Sequence, residues 1–115
     1  MREELKEFAN EMEKLLKKHD DIKGDSWKTC SFRYLQDKLD EEYDEVLRTG
    51  KIRLILPAYI TFKFTDKEMK VKDSDEIEYL LNRKKKELID LANICMMMYK
   101  RCNMMIEKNN KKEAE

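Results

Sequence analysis

A mostly helical bundle is the fold class this sequence predicts, on three observations. The 115 residues hold only 2 glycines and 1 proline, so few positions favour turns. Charged residues make up 43% of the chain, largely Lys and Glu, which with Leu and Met are good helix formers. Apolar residues recur at three- and four-residue steps over three stretches. The length is that of one domain, 1–115. So charged a chain has little apolar material for a core of its own, and a second copy is expected to complete it in part.

The first helix is expected from Glu3 to about His19, where Leu5, Phe8, Met12, Leu15, Leu16 and His19 share one face. His19 reads as a helix-end residue favoured by the C-terminal dipole, not as a ligand. Asp20 to Trp27 reads as a loop turning at Gly24. Trp27 has two readings: a plug at the base of the bundle, or a face on which a nucleobase stacks. Ser31 is the expected N-cap of a second helix over 31–48, with Gly50 as its C′ stop. Over 51–72 the pattern changes: Ile60, Phe62 and Phe64 alternate with Thr61, Lys63 and Thr65, the period of one or two short strands or an extended arm. Asp73 and Ser74 then offer an N-cap, with Glu76 in capping-box position. The helix they open is expected over 74–106, with a break near Asn82, and 107–115 is expected to fray.

Several function classes are excluded by what the chain lacks. Lys+Arg and Asp+Glu both number 25, so net charge gives no attraction to a nucleic-acid polymer or an anionic membrane. No apolar run reaches the roughly 18 residues a membrane span needs. The opening Met1-Arg2-Glu3-Glu4 does not read as a signal peptide, and the expected location is cytoplasmic. Cys30, Cys95 and Cys102 form no Cys-x-x-Cys pair, which argues against a zinc site and a disulfide framework.

The informative anomaly is acidic. In the second helix Leu35, Leu39 and Val46 form a narrow apolar stripe; Glu42 falls inside it, with Lys38, Glu41 and Glu45 along its edge. In the last helix Leu80, Leu91, Ile94, Met98 and Met105 form a stripe with Glu87 in its middle and Asp90 at its flank. A carboxylate turned into a core is costly unless a cation or strong donors meet it. Two helices that each turn a pair of acids inward at i,i+3 spacing, Glu42/Glu45 and Glu87/Asp90, suggest a shared cation site. A hard cation such as magnesium takes oxygen ligands and leaves positions open for phosphates. Lys38 and Arg83, each one turn before an acid, can hold phosphate oxygens. The plainer reading makes Lys38–Glu42 and Arg83–Glu87 intrahelical ion pairs.

The ordered set Lys23-Gly-Asp-Ser-Trp27, Lys38-Leu-Asp-Glu-Glu-Tyr-Asp-Glu45 and Glu87-Leu-Ile-Asp-Leu-Ala-Asn93 resembles the MazG-like all-α nucleoside triphosphate pyrophosphohydrolases, a superfamily that includes dimeric dUTPases and dCTP pyrophosphatases. The resemblance covers roughly residues 19–105 and rests on Glu-Glu-x-x-Glu on one helix and Glu-x-x-Asp on the next. It implies an all-α bundle of that type, with Glu42, Glu45, Glu87 and Asp90 binding magnesium, or manganese in its place. Lys38 and Arg83 would contact phosphates, Trp27 and Asn93 would lie near the nucleoside, and Glu41 or Glu42 would be the base. The implied reaction is attack of a metal-bound water between the α and β phosphates of a (d)NTP, giving the monophosphate and pyrophosphate in housecleaning of nucleotide pools. The implied partners are the nucleoside triphosphate and further copies of the chain, as a dimer or a dimer of dimers.

One departure is the gap of 42 positions from Glu45 to Glu87, longer than the usual connection; the extra material is Lys51–Lys72. The competing class is a non-catalytic, oligomeric helical interaction protein with a degenerate site. A di-iron carboxylate bundle needs Glu-x-x-His pairs, and Leu16 stands three residues before His19.

Overall fold

A computed structural model describes residues 1–48, 51–55, 59–64 and 67–114, with side chains described for 1–21, 24–48 and 70–112. Its element order is α1 (Glu3–Lys23), a 3-10 turn (Ser26–Lys28), α2 (Phe32–Arg48), β1 (Lys51–Ile55), β2 (Tyr59–Phe64), β3 (Lys67–Val71) and α3 (Ser74–Ala114). The helical fold class is as expected, and the helix starts follow from local chemistry. The Ser31 hydroxyl accepts from the Tyr34 N–H at 3.1 Å and caps α2. The Asp73 carboxylate accepts from the Glu76 N–H at 2.9 Å and caps α3.

Four expectations need correction. The first helix does not stop at His19 but continues to Lys23, because nothing before Gly24 breaks it; Gly24 adopts φ 62° and its N–H donates to the Asp20 carbonyl at 2.9 Å. The last helix has no break at Asn82, since one Asn among strong helix formers is too weak to interrupt it. Residues 107–114, expected to fray, are helical: their Glu, Lys and Ala residues carry the helix to Ala114. The strand-like insert is a three-stranded antiparallel meander in the order β1-β2-β3, not one or two strands. Its register pairs Lys51 with Lys63 and Ile55 with Tyr59 across the first ladder, and Ile60 with Val71 and Phe64 with Lys67 across the second. Gly50, the expected C′ stop, and the alternating side chains of the insert, including Lys63 and Lys67, lie outside the described residues.

α3 is the spine. Its 41 residues extend about 61 Å at 1.5 Å per residue, close to the 65 Å long axis of the molecule. α2 packs against it most extensively and α1 less so. Long-range hydrogen bonds set the directions. The Lys84 ammonium donates to the Val46 carbonyl at 2.7 Å, and the Arg101 guanidinium donates to the Cys30 carbonyl at 2.6 Å, so α2 runs antiparallel to α3. The Asn93 amide donates to the Met12 carbonyl at 3.3 Å, and Arg101 also donates to the Trp27 carbonyl at 2.9 Å, just after α1, so α1 runs parallel to α3.

The core is thin. Leu35, Val71, Ile89 and Met97 are the buried apolar residues among those described, joined by Asn93. Leu80, Leu91, Ile94 and Met98 are half-buried as their stripe predicts, whereas Met105 is exposed. Because α1 and α2 both lie on α3, that helix has two inward faces. The Ile89–Asn93–Met97 line is one that a single-stripe reading passes over.

Candidate metal centre

The inner face of α2 carries Leu35, buried, followed by Leu39, Glu42, Glu45 and Val46, all half-buried; Asp40, Glu41 and Asp44 between them are exposed. The opposing segment of α3 carries Glu87 and Asp90, also half-buried, with Leu88 outside. Antiparallel packing brings the two segments face to face. A carboxylate oxygen from each of Glu42, Glu87 and Asp90 lies within 4.8 Å of the others. Glu45 joins them through a hydrogen bond between its carboxyl and that of Glu87. The four acids singled out by their position in the sequence therefore converge.

Their electrostatics are those of acids held together, with burial and mutual repulsion outweighing the nearby cations Arg83 and Lys86. Burial, then the charges of Glu45, Asp90 and Glu87, push the Glu42 carboxyl from 4.5 up to about 7. Burial and the hydrogen bond with Glu45 raise Glu87, against a lowering by Arg83. Burial raises Asp90, against a lowering by Lys86. Glu42 Oε2 and Glu87 Oε2 are buried with no hydrogen-bond partner. Two orphaned buried carboxylate oxygens are a costly arrangement that an oxygen-seeking cation would relieve.

A pH dependence follows. Folded, Glu42 keeps its proton to about pH 7; unfolded, it releases it near pH 4.5. The folded chain binds more protons across that window, so stability falls as pH rises through it and levels off above 7. With the shift discounted for the solvent that still reaches this half-buried group, the loss is about 1–2 kcal/mol. Thermal melts in chelator-treated buffer should show a lower Tm at pH 8 than at pH 5.5; the reverse order would show that these acids are not held together in solution.

The other predicted site residues divide. Glu41 does not join the cluster: it is exposed, and its Oε2 accepts from the Lys38 ammonium at 3.2 Å. Lys38 therefore pairs with Glu41, not with Glu42, and that hydrogen bond raises its pKa. Arg83 is exposed, near enough to lower the Glu87 pKa. Trp27 is not brought to the acids. Its carbonyl is bound to Arg101, 11 residues beyond Asp90, which is about 16 Å along α3. Asn93 is buried and turned toward Met12 of α1, where it ties two helices together; its Oδ1 has no partner. Sequence reasoning missed Lys86, whose charge acts on Asp90 and whose i,i+4 spacing to it was a usable signal. It also missed Arg101, for which one turn among many charged residues offers none.

A groove of about 750 Å³ opens between α1 and α3, lined by Phe8, Leu15, Leu88 and Ile89 with Lys85 and Lys86 at its margin. It lies on the α1 side of the spine, away from the acids on the α2 side.

No protein-family model, curated protein or solved structure matches the chain. Among the described residues no helix is long and apolar enough to cross a membrane.

Proposed function

We propose that the chain is a magnesium-dependent nucleotide pyrophosphohydrolase, a cytoplasmic enzyme that cleaves a nucleoside triphosphate between its α and β phosphates to the monophosphate and pyrophosphate. The observation that carries this reading is the convergence of Glu42, Glu87 and Asp90 within 4.8 Å, with two of their oxygens buried and unpartnered. The ordered motifs described above supply the substrate class.

Glu42, Glu45, Glu87 and Asp90 would hold the ion; magnesium fits their hard oxygen donors, and manganese would serve in its place. When bound, the ion neutralises phosphate charge and makes a water easier to deprotonate. Cleavage adds the elements of water across the α–β anhydride bond, and a carboxylate must take the water's proton. Glu42 fills that role better than Glu41, which is exposed and committed to Lys38. Lys38 and Arg83, cations on the same two helix faces, would bind phosphate oxygens. Trp27 and Asn93, which lie apart from the acids, would meet the nucleoside, as the resemblance implies. Further copies of the chain, as a dimer or a dimer of dimers, would complete the thin core.

The test is pyrophosphate release from a panel of canonical and modified (d)NTPs, with magnesium and with chelator. Metal-dependent release of pyrophosphate together with monophosphate is expected. If no nucleotide is turned over and magnesium leaves the thermal melt unchanged, the reading is wrong, and the chain is better pursued as a helical interaction protein.

A further inference from the structure

The four acids meet in one register of α2 against α3, and apolar packing alone does not select it. The α2 stripe is Leu35, Leu39, Glu42 and Val46, at steps of four, three and four residues. Its apolar members recur at one-turn intervals, so a slip of one turn, about 5.4 Å, sets Leu39 where Leu35 stood. Such a slip would carry Glu42 away from at least one of the two acids whose oxygens now lie within 4.8 Å of its own. The acids themselves oppose the register they need. Burial, then the charges of Glu45, Asp90 and Glu87, push the Glu42 carboxyl up to about 7, so something else must hold them together.

Two cations of α3 do so from both ends of α2. Lys84, Arg101 and Lys38 are half-buried, whereas the other lysines and arginines among the described residues are exposed. The Lys84 ammonium donates to the Val46 carbonyl at 2.7 Å, one of the last four carbonyls of α2, which have no partner within the helix. The negative end of the helix dipole favours a cation there. Ahead of α2, one nitrogen of the Arg101 guanidinium donates to the Trp27 carbonyl at 2.9 Å and to the Cys30 carbonyl at 2.6 Å. All three bonds have a charged donor, which makes them stronger than neutral ones. The spans between the clamps agree: 17 positions on α3, about 25 Å, against 16 along α2 and its lead-in, about 24 Å. In an antiparallel pair the numbers of facing residues have a constant sum. Lys84 with Val46 puts it at 130 and Arg101 with Cys30 at 131. Glu42 with Glu87 gives 129 and with Asp90 gives 132, so the clamped register centres Glu42 between its two partners.

We propose that Lys84 and Arg101 are positioning residues of the metal centre, clamping the two ends of α2 at the axial offset on α3 that lets the four acids share an ion. The inference rests on the metal-binding reading of the acids and not on the reaction proposed for them. Charge and position can be told apart at both clamps. Arg101 stands 11 residues beyond Asp90, about 16 Å along α3 and twice the screening length of about 8 Å at physiological ionic strength, so its charge barely reaches the ion. Lys84 is three residues from Glu87, where its charge repels a bound cation. By charge alone its removal would tighten the ion; through position its removal weakens it.

Manganese, which suits the same oxygen donors, is the probe, its binding to the full chain read from loss of the free ion's electron paramagnetic resonance signal. Titrations are made at a temperature where circular dichroism shows each variant folded. Arg101→Met and Lys84→Met should each weaken the dissociation constant by roughly tenfold or more. Arg101→Lys, which keeps one nitrogen donor for both carbonyls, and Lys84→Arg should return it to within about threefold of wild type. A merely structural clamp would lower the Tm and leave the affinity of the folded chain unchanged. Wild-type affinity in Arg101→Met therefore overturns the inference, and so does tighter binding in Lys84→Met. If one of these two variants does not fold, the other decides. A wild type that binds no manganese overturns the metal centre and the inference with it, whereas binding without nucleotide turnover overturns the proposed reaction alone.

Discussion

Glu42→Gln is expected to abolish metal-dependent pyrophosphate release, by a hundredfold or more, while raising the Tm of the metal-free protein at pH 8. The two effects have one cause. Glu42 is a carboxylate whose proton is held to about pH 7 by burial and by its acidic neighbours, so ionising it in the folded chain is unfavourable. Glutamine keeps the shape, removes the charge, and can donate to the neighbouring acids; the apo protein gains stability as the site loses a ligand and its base. Magnesium should raise the wild-type Tm at pH 8, by less at pH 6, where protons occupy the same oxygens. It should leave the variant nearly unmoved. Paired melts with and without 5–10 mM magnesium decide the matter. A variant that responds to magnesium as the wild type does would remove Glu42 from the site, and one less stable than wild type at pH 8 would show that the cluster is not under like-charge strain.

Leu35→Ala is the substitution expected to cost the most stability. Leu35 is 1% exposed, the one large side chain wholly enclosed among the described residues, and it stands at the start of the α2 stripe that holds Leu39, Glu42 and Val46 against α3. Removing its branched end leaves a cavity in a core of few buried side chains, at a cost of about 3 kcal/mol. For a chain of this size that is a fall in Tm of roughly 10–20 °C. The acid cluster depends on the same packing, so the metal response should weaken with it. Circular dichroism melts supply the measurement; a loss under about 1 kcal/mol would mean that α2 and α3 do not meet at this position.

How far the chain is legible from its residues differs between neighbouring elements. Ser31 and Asp73 mark their helix starts because a short polar side chain bonds the backbone three residues on, an interaction wholly local. The inward turn of Glu42 and Glu87 is equally legible, because a residue's place on a helix face depends only on its distance from its apolar neighbours. The reach of α1 to Lys23 and of α3 to Ala114 was underestimated for the opposite reason. Polar residues give no periodic signal whether they continue a helix or leave it, and only a breaker such as Gly24 settles the end. The third strand of the meander escaped because Lys67–Val71 carries too little alternation to stand out; it exists as a strand by pairing with β2.

The sequence by itself determined that the chain is helical, where its helices start, and which four acids turn inward, since all three depend on intervals along the chain. Tertiary structure alone decided which residues meet. It set α2 antiparallel to α3, bringing Glu42 and Glu45 opposite Glu87 and Asp90. It paired Lys38 with Glu41, and it carried Trp27 away to Arg101 and Asn93 to Met12. It also left one face of α3 uncovered. The physical reason is that helix periodicity fixes the direction a side chain takes from its own axis, while its partner depends on the order, direction and axial offset of helices packed from distant parts of the chain.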